Sequence, residues 1–245
     1  MQITTWPRPS AADTDPDSFY PSSDGRPVGE TPIHFRNSLQ LFDMLEWRFA
    51  ADPQVYVAGN MFVYYVPGDR LKHVSPDLFV VFGVPKTKRR KSYRVWEEGK
   101  APDLVVELTS ISTQEEDIDD KKWIYRDLLK VREYILFDPQ AEYLDPALQG
   151  FRLQGSEYVE IPMVSGRLPS EVLGLHFEAS GEDLRLYDPA AGRWLLTPHE
   201  VREQAADTAT KLDRTAAERD QAIADRQRLE AELAELRRRI GPSGS

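Results

Sequence analysis

Two carboxylates stand at or within predicted strands, and they are the residues most able to carry chemistry. Asp77 directly precedes the apolar residues of the run SPDLFVVF, and Glu107 lies inside the apolar run PDLVVELT. A charge within a buried strand is costly unless it has a partner. If the two strands pair, both carboxylates reach one edge of the sheet and offer the oxygen ligands that Mg²⁺ or Mn²⁺ prefers. The alternative is that Asp77 only starts a strand and that Glu107 pairs with a nearby cation.

A lysine on the following predicted helix could complete such a site. The segment DIDDKKWIY places Asp117, Lys121 and Tyr125 at successive i, i+4 positions, which predicts that they share one helical face. An ammonium group turned towards the sheet could orient an attacking water or stabilise charge on phosphoryl oxygens. The alternative is a solvated face with an Asp–Lys pair, and Lys122, about 100° away, is expected in solvent.

Two further features are weaker candidates. Asp103 also follows a proline at the start of its strand, where aspartate is common as a turn residue. The stretch KTKRRKSYR is strongly basic in an acidic chain, so it is the best candidate for contacts with phosphates. Its predicted nucleic-acid-binding residues are Lys88, Arg89, Arg90, Lys91 and Arg94. The alternative is a solvated hairpin tip.

The pattern of apolar residues predicts the elements that position these groups. Apolar spacings of three, four and eight predict a helix over Pro32–Ala50. The run VYVAGNMFVYYV predicts a hairpin about Gly59-Asn60. The strands PDLFVVFGV and DLVVELT, the helix DIDDKKWIYRDLLKV and the strand EYILFDP follow. This order predicts an α/β or α+β domain with one mixed sheet.

The composition suggests how the chain is divided. We expect an extended arm over residues 1–29, a core over 30–140, a β-rich extension packed on it over 141–197, and a disordered end over 241–245. Residues 198–240 lack aromatic residues, and their apolar positions recur every three or four residues with one phase shift. This pattern predicts one long helix, interpreted as a coiled coil with a stutter or, alternatively, as a single solvated helix.

Overall composition excludes several classes of function. The 245 residues contain no cysteine, which excludes disulfide and thiolate–metal chemistry. The start of the chain does not resemble a signal peptide, and no apolar run approaches the ~20 residues needed to cross a bilayer. We therefore expect a cytoplasmic location. The net charge of −10 makes nucleic-acid binding depend on local positive charge.

The runs SPDLFVVF, PDLVVELTSIST and VREYILFDP, together with VGETPIHF and GNMFVYYVPGD upstream, resemble the Uma family of endonucleases. This family is a branch of the PD-(D/E)XK nuclease superfamily, and the resemblance covers roughly residues 28–139. It implies a restriction-endonuclease-like mixed sheet flanked by helices, with Asp77 and Glu107 as the metal-binding acids. Thr109 stands where the superfamily's Glu-x-Lys pattern would place the lysine, and Lys121 matches a lysine moved to the following helix.

The resemblance also implies accessory residues and a function. Glu46 on the first helix, or Glu30 just before it, could add an acid, and His34 could be a supporting residue. The implied function is Mg²⁺- or Mn²⁺-dependent hydrolysis of DNA, with self-association through the C-terminal helix. The alternative is a catalytically inactive binding or scaffold protein that assembles through the same helix.

Overall fold

The computed structural model describes residues 19–21, 31–109 and 120–240, and the chain divides into two compact units, Met1–Leu195 and Leu196–Ser245. Three α-helices lie in the described residues: α1 Pro32–Arg48, α2 Val95–Glu98 and α3 Pro198–Ile240. A π-helix spans Ile124–Leu128. The strands described are β1 Val55–Ala58, β2 Val63–Tyr64, β3 His73–Val74, β4 Leu78–Phe82, β5 Tyr93–Arg94, β6 Leu104–Leu108, β7 Glu133–Phe137, β8 Leu148–Gln154, β9 Glu157–Glu160, β10 Leu168–Ser170, β11 Leu175–Ser180, β12 Asp183–Asp188 and β13 Arg193–Trp194.

Helix α1 begins where its sequence predicts. The Thr31 side chain accepts a hydrogen bond from the His34 backbone N–H at 3.3 Å, and a proline occupies the first turn. Both features favour a helix start, because they satisfy or remove amide groups that lack a helical partner. Leu41 and Leu45 on its inner face are fully buried. The helix ends at Arg48, two residues before the predicted end.

The main sheet has the strand order β1-β4-β6-β7-β8-β9 and is mixed. β4 pairs antiparallel with β6, whereas β6 pairs parallel with β7. Alternate residues of β4 and β6 enter two different apolar clusters, one on each face of the sheet. Burial on both faces explains why these strands are almost continuously apolar. The predicted α/β fold class, with a mixed sheet, helices, further strands and a long C-terminal helix, is confirmed.

The predicted hairpin about Gly59-Asn60 is wrong. β1 pairs with β4 in the main sheet, whereas β2 pairs with β3 and β5 in a separate small sheet. The glycine is required by a tertiary contact, since a Cβ atom on Gly59 would lie 2.2 Å from the carbonyl oxygen of Asp77. The backbone N–H of Asn60 donates to the carbonyl of Pro76 at 3.0 Å. This segment therefore carries the chain between sheets and packs against the start of β4.

The strands after residue 140 form two groups. β8 and β9 continue the main sheet beyond β7, and β10 to β13 form a second, antiparallel sheet. The side chain of Glu133 in β7 connects them, because it accepts from Arg152 Nε of β8 at 2.9 Å and from Ser170 Oγ of β10 at 2.5 Å. Leucine and phenylalanine side chains of the second sheet share one apolar cluster with α1 and the main sheet.

The helix predicted from DIDDKKWIYRDLLKV is wider than an α-helix over Ile124–Leu128. The backbone N–H of Leu129 donates to Ile124 O at 3.0 Å, five residues back, as in a π-helix. Asp117, one of the three residues expected on its face, lies outside the described residues. Lys121 and Tyr125 lie within them and both face β6.

In the second unit, α3 has 43 residues. The side chains described in it, up to residue 239, are almost all exposed, including Leu229, Leu233 and Leu236. Ion pairs at i, i+4 spacing, such as Arg226–Glu230 at 2.8 Å, run along its surface. Nothing among the described helices combines the length and the apolar character that a membrane crossing would need.

Candidate active site

The main sheet brings Asp77 and Glu107 side by side. Leu78 of β4 pairs with Val106 of β6, so continuing the antiparallel register by one residue places Asp77 opposite Glu107. Directly opposed residues point to the same face, with Cβ atoms about 4.5–5.5 Å apart. The carboxylate of Asp77 accepts the backbone N–H of Leu108 through Oδ2 at 2.7 Å. This bond fixes the Asp77 side chain against the strand that carries Glu107.

Glu107 is held by two side chains of the helical segment that follows β6. Its carboxyl group belongs to a residue that is only 1% exposed. Lys121 Nζ donates to Oε2 at 3.2 Å, and the Tyr125 hydroxyl donates to Oε1 at 2.6 Å. The i, i+4 spacing of the two donors puts them on one face, as the sequence predicts. The ion pair with Lys121 explains how an apolar strand accommodates a charge.

The structure therefore brings Asp77, Glu107 and Lys121 together, while their catalytic roles remain predictions. Each carboxylate oxygen has two lone pairs, so it can accept more than one interaction. Two neighbouring carboxylates suit Mg²⁺ or Mn²⁺, because such ions are held by one or two carboxylates together with waters and substrate phosphate oxygens. No group of three His, Asp or Glu side chains that could hold a metal is present in residues 19–21, 31–109 and 120–240.

The accessory candidates are distributed around this pair. His34 Nε2 lies 3.1 Å from the carbonyl oxygen of Thr109, just beyond the Glu107 end of β6, so the first turn of α1 borders the site. Glu46 lies three turns further along α1 and lines a different cavity of about 450 Å³ with Tyr56 and Lys86. Glu30 lies outside the described residues.

Asp103 is not brought to the site. It precedes β6, at the end opposite Glu107, about four residues or ~13 Å away along an extended strand. Its Oδ2 accepts the backbone N–H of Phe82 at 2.8 Å and pairs with Lys100 Nζ at 2.8 Å. Asp103 therefore closes the start of the strand as a structural residue, which is the turn interpretation of its Pro-Asp sequence.

The basic stretch divides into anchored and exposed side chains. Arg90 is almost fully buried, pairs with Glu98 at 2.8 Å, and stacks over Tyr56 at 4.2 Å from the ring centre. Arg94 pairs with Glu97 at 2.8 Å. Burial alone would raise the pKa of Glu98, but hydrogen bonds from Arg90 and Lys88 outweigh it and lower that pKa.

These contacts weigh against the predicted phosphate-binding role of Arg90 and Arg94, because each side chain serves an ion pair and is mostly buried, with 2% and 13% exposed. Lys88 also pairs with Glu98, at 2.6 Å, but remains exposed. Arg89 and Lys91 are exposed as well. Phosphate binding stays a prediction for all five residues, and exposure favours these three.

Sequence reasoning missed two supporting contacts. The backbone N–H of Leu108 as the anchor of Asp77 could be found only from the strand register. The hydroxyl of Tyr125 as a donor to Glu107 had a signal, since Tyr125 shares the predicted face with Lys121. At Thr109, where the superfamily lysine would stand, the hydroxyl is buried and has no partner among the residues the structure describes.

A mixed sheet that brings together two strand carboxylates and a lysine from the next helix is the arrangement that the resemblance to restriction-endonuclease-like nucleases implies. The model of the Uma2 family, described as "Putative restriction endonuclease", matches residues 8–185, and the chain therefore belongs to that family. The match extends well past residue 139 and includes most of the second sheet.

Among solved structures, the chain is similar to one described as a putative nuclease belonging to DUF820 from Anabaena variabilis. That similarity has a TM-score of 0.45 and 14% identity, and covers 62% of this chain and 81% of the other. No curated protein matches the chain.

Proposed function

We propose that this protein is a Mg²⁺- or Mn²⁺-dependent endonuclease that hydrolyses phosphodiester bonds of DNA. The observation that carries the proposal is the meeting of three groups, Asp77, Glu107 and Lys121, at neighbouring strands and the next helix. Membership in a family described as restriction endonucleases supports a nucleic acid as the substrate. A cytoplasmic location remains an expectation from the sequence.

The two carboxylates would hold the metal, which supplies Lewis-acid activation of a bound water. Tyr125 and the Leu108 backbone N–H keep the Glu107 and Asp77 carboxylates in fixed orientations, so little reorganisation is needed when substrate arrives. Lys121 places a positive charge beside Glu107, where it can orient the attacking water or stabilise charge on a phosphoryl oxygen.

Plasmid cleavage in Mg²⁺, with EDTA as the metal-free reference, tests the proposal. We expect Asp77→Asn and Glu107→Gln to abolish cleavage and Lys121→Met to lower its rate about 10²–10³-fold. Lys122→Met is the matched control. The ammonium group of Lys122 lies over the Phe151 ring, 3.4 Å from the ring centre, whereas that of Lys121 lies beside Glu107. The Lys122→Met variant should retain activity within about threefold, since it removes a charge from the same helix without touching the carboxylates.

Cleavage unchanged in both carboxylate variants would refute the nuclease assignment. Two negative results together would favour the inactive scaffold. The wild type would cleave DNA in neither metal, and calorimetry would detect no Mn²⁺ binding that is lost on replacing Asp77 and Glu107. Exposed Lys88, Arg89 and Lys91 are the proposed phosphate contacts, and replacing each with alanine should reduce the salt dependence of DNA binding.

The exposed leucines of α3 support self-association as part of the proposal. Leu229, Leu233 and Leu236 recur at spacings of four and three, which suits the seam of a coiled coil. Light scattering should show an oligomer for the wild type and a smaller species for Leu233→Glu. Gln227→Glu, two residues before Leu229 and about 160° around the helix from it, adds the same charge outside the seam as a control and should leave the mass unchanged.

A further inference from the structure

The cleft beside Asp77 has features that the proposed phosphodiester chemistry does not use. It has a volume of about 160 Å³ and lies between α1 and the Gly59-Asn60 segment, with Asp77 in its wall. Phe35, Leu39 and Phe42 contribute apolar surface to it. Phe35 is 59% exposed and Leu39 is 49% exposed, although both are large apolar residues. An exposed aromatic and aliphatic rim around a concave site is typical of ligand binding.

A buried hydroxyl in the same cleft also points to a ligand. Ser38 lines the cleft and is only 9% exposed, yet its Oγ has no hydrogen-bond partner among the described residues. A buried polar atom without a partner is uncommon, because losing its hydrogen bond to water costs free energy. If the Ser38 side chain rotates towards the cleft, a ligand with polar atoms at the edge of an apolar ring would satisfy this hydroxyl and cover the apolar rim.

We infer that this cleft receives one unstacked base of the nucleic-acid substrate. The inference rests on the proposed function, since it places the base beside Asp77, a proposed metal-binding residue. A cavity of about 150 Å³ is large enough for a single six-membered ring, which suits a pyrimidine. Phe35 provides the stacking surface, and Ser38, once its hydroxyl rotates towards the cleft, provides a donor or acceptor for the edge of the base. The apolar side chains of Phe35, Leu39 and Phe42 in its walls disfavour a bare phosphate as the occupant.

The test compares two fluorescent 20-mers in EDTA, where hydrolysis cannot occur: oligothymidylate and a strand of abasic sites of the same length. Both carry the same phosphates, so a difference in their anisotropy-derived Kd values reports binding of bases. We expect the wild type to prefer oligothymidylate. Phe35→Ala should weaken its binding about 5- to 150-fold and leave the abasic strand unaffected. Ser38→Ala should weaken it about 2- to 12-fold.

Trp47→Ala is the matched control, because Trp47 is a 66% exposed aromatic on the same helix that does not line the cleft. It should retain the preference for oligothymidylate. Equal affinity of the wild type for both strands, an unchanged preference in Phe35→Ala, or an equal loss in Trp47→Ala would overturn the inference. This binding assay needs no cleavage, so it tests base binding alone. Failure of the nuclease proposal would instead appear in the plasmid cleavage assay with Asp77→Asn.

Discussion

Replacing Tyr125 with phenylalanine removes a single hydroxyl that holds the carboxylate of Glu107. The ring is fully buried, and the hydroxyl donates to Oε1 at 2.6 Å. A hydrogen bond to a charged group contributes about 1.5–3 kcal/mol, more than one between neutral groups. We therefore expect Tyr125→Phe to lower the free energy of unfolding by about 1.5–3 kcal/mol, and Tm by about 3–12 °C for a unit of this size.

Tyr125→Phe in a Glu107→Gln background measures whether the negative charge of Glu107 accounts for the loss of stability. With a neutral acceptor, loss of the hydroxyl should cost only about 0.5–1.5 kcal/mol. The difference between the two costs is the coupling energy of the pair. Urea unfolding followed by near-ultraviolet circular dichroism suits this measurement, because that signal reports the aromatic core and not α3, which contains no Phe, Tyr or Trp.

Tyr158→Phe provides the matched control for this double-mutant cycle of Tyr125→Phe and Glu107→Gln. The hydroxyl of Tyr158 donates to a neutral acceptor, the carbonyl of Val131, at 3.0 Å. It should cost about 0.5–1.5 kcal/mol and show no coupling to Glu107→Gln. Equal costs of Tyr125→Phe in both backgrounds would refute the reasoning that the hydroxyl stabilises a charged Glu107.

Three further predictions concern the surrounding framework. Gly59→Ala should lower stability by about 1–3 kcal/mol in urea unfolding, because its Cβ would lie 2.2 Å from the carbonyl oxygen of Asp77, and unchanged stability would contradict this close approach. The lowered pKa of Glu98 means that its stabilisation is present above its usual value of 4.5 and is lost as pH falls through the lowered pKa. Wild-type stability should therefore fall more steeply than that of Glu98→Gln in acid unfolding series below about pH 4.5, and parallel curves would exclude the linkage. Arg152→Met should lower the free energy of unfolding by about 3–5 kcal/mol, since it removes a cation from the fully buried Glu133. Adding Glu133→Gln should recover part of this loss. A further loss of stability would show that the carboxylate is satisfied without its cation.

Local patterns in the sequence predicted the secondary-structure elements that carry the candidate site residues. Thr31 and the proline after it marked the start of α1, and the β-branched runs marked β4 and β6, since both signals act within a few residues. A charge inside an apolar strand identified Glu107 as a residue needing a partner. The i, i+4 spacing of Lys121 and Tyr125 correctly predicted a shared face.

Only the tertiary structure decided which of these groups meet. Asp77 and Asp103 both follow a proline at a strand start, but the antiparallel register of β4 and β6 puts only Asp77 opposite Glu107. The Gly59-Asn60 pair predicted a hairpin turn, because the local sequence does not show that the carbonyl oxygen of Asp77 approaches Gly59. The ion pair between Arg90 and Glu98, which weighs against phosphate binding by Arg90, depends on how the loop folds. Register, close approach and ion pairing are all contacts between distant residues, so short sequence patterns do not determine them.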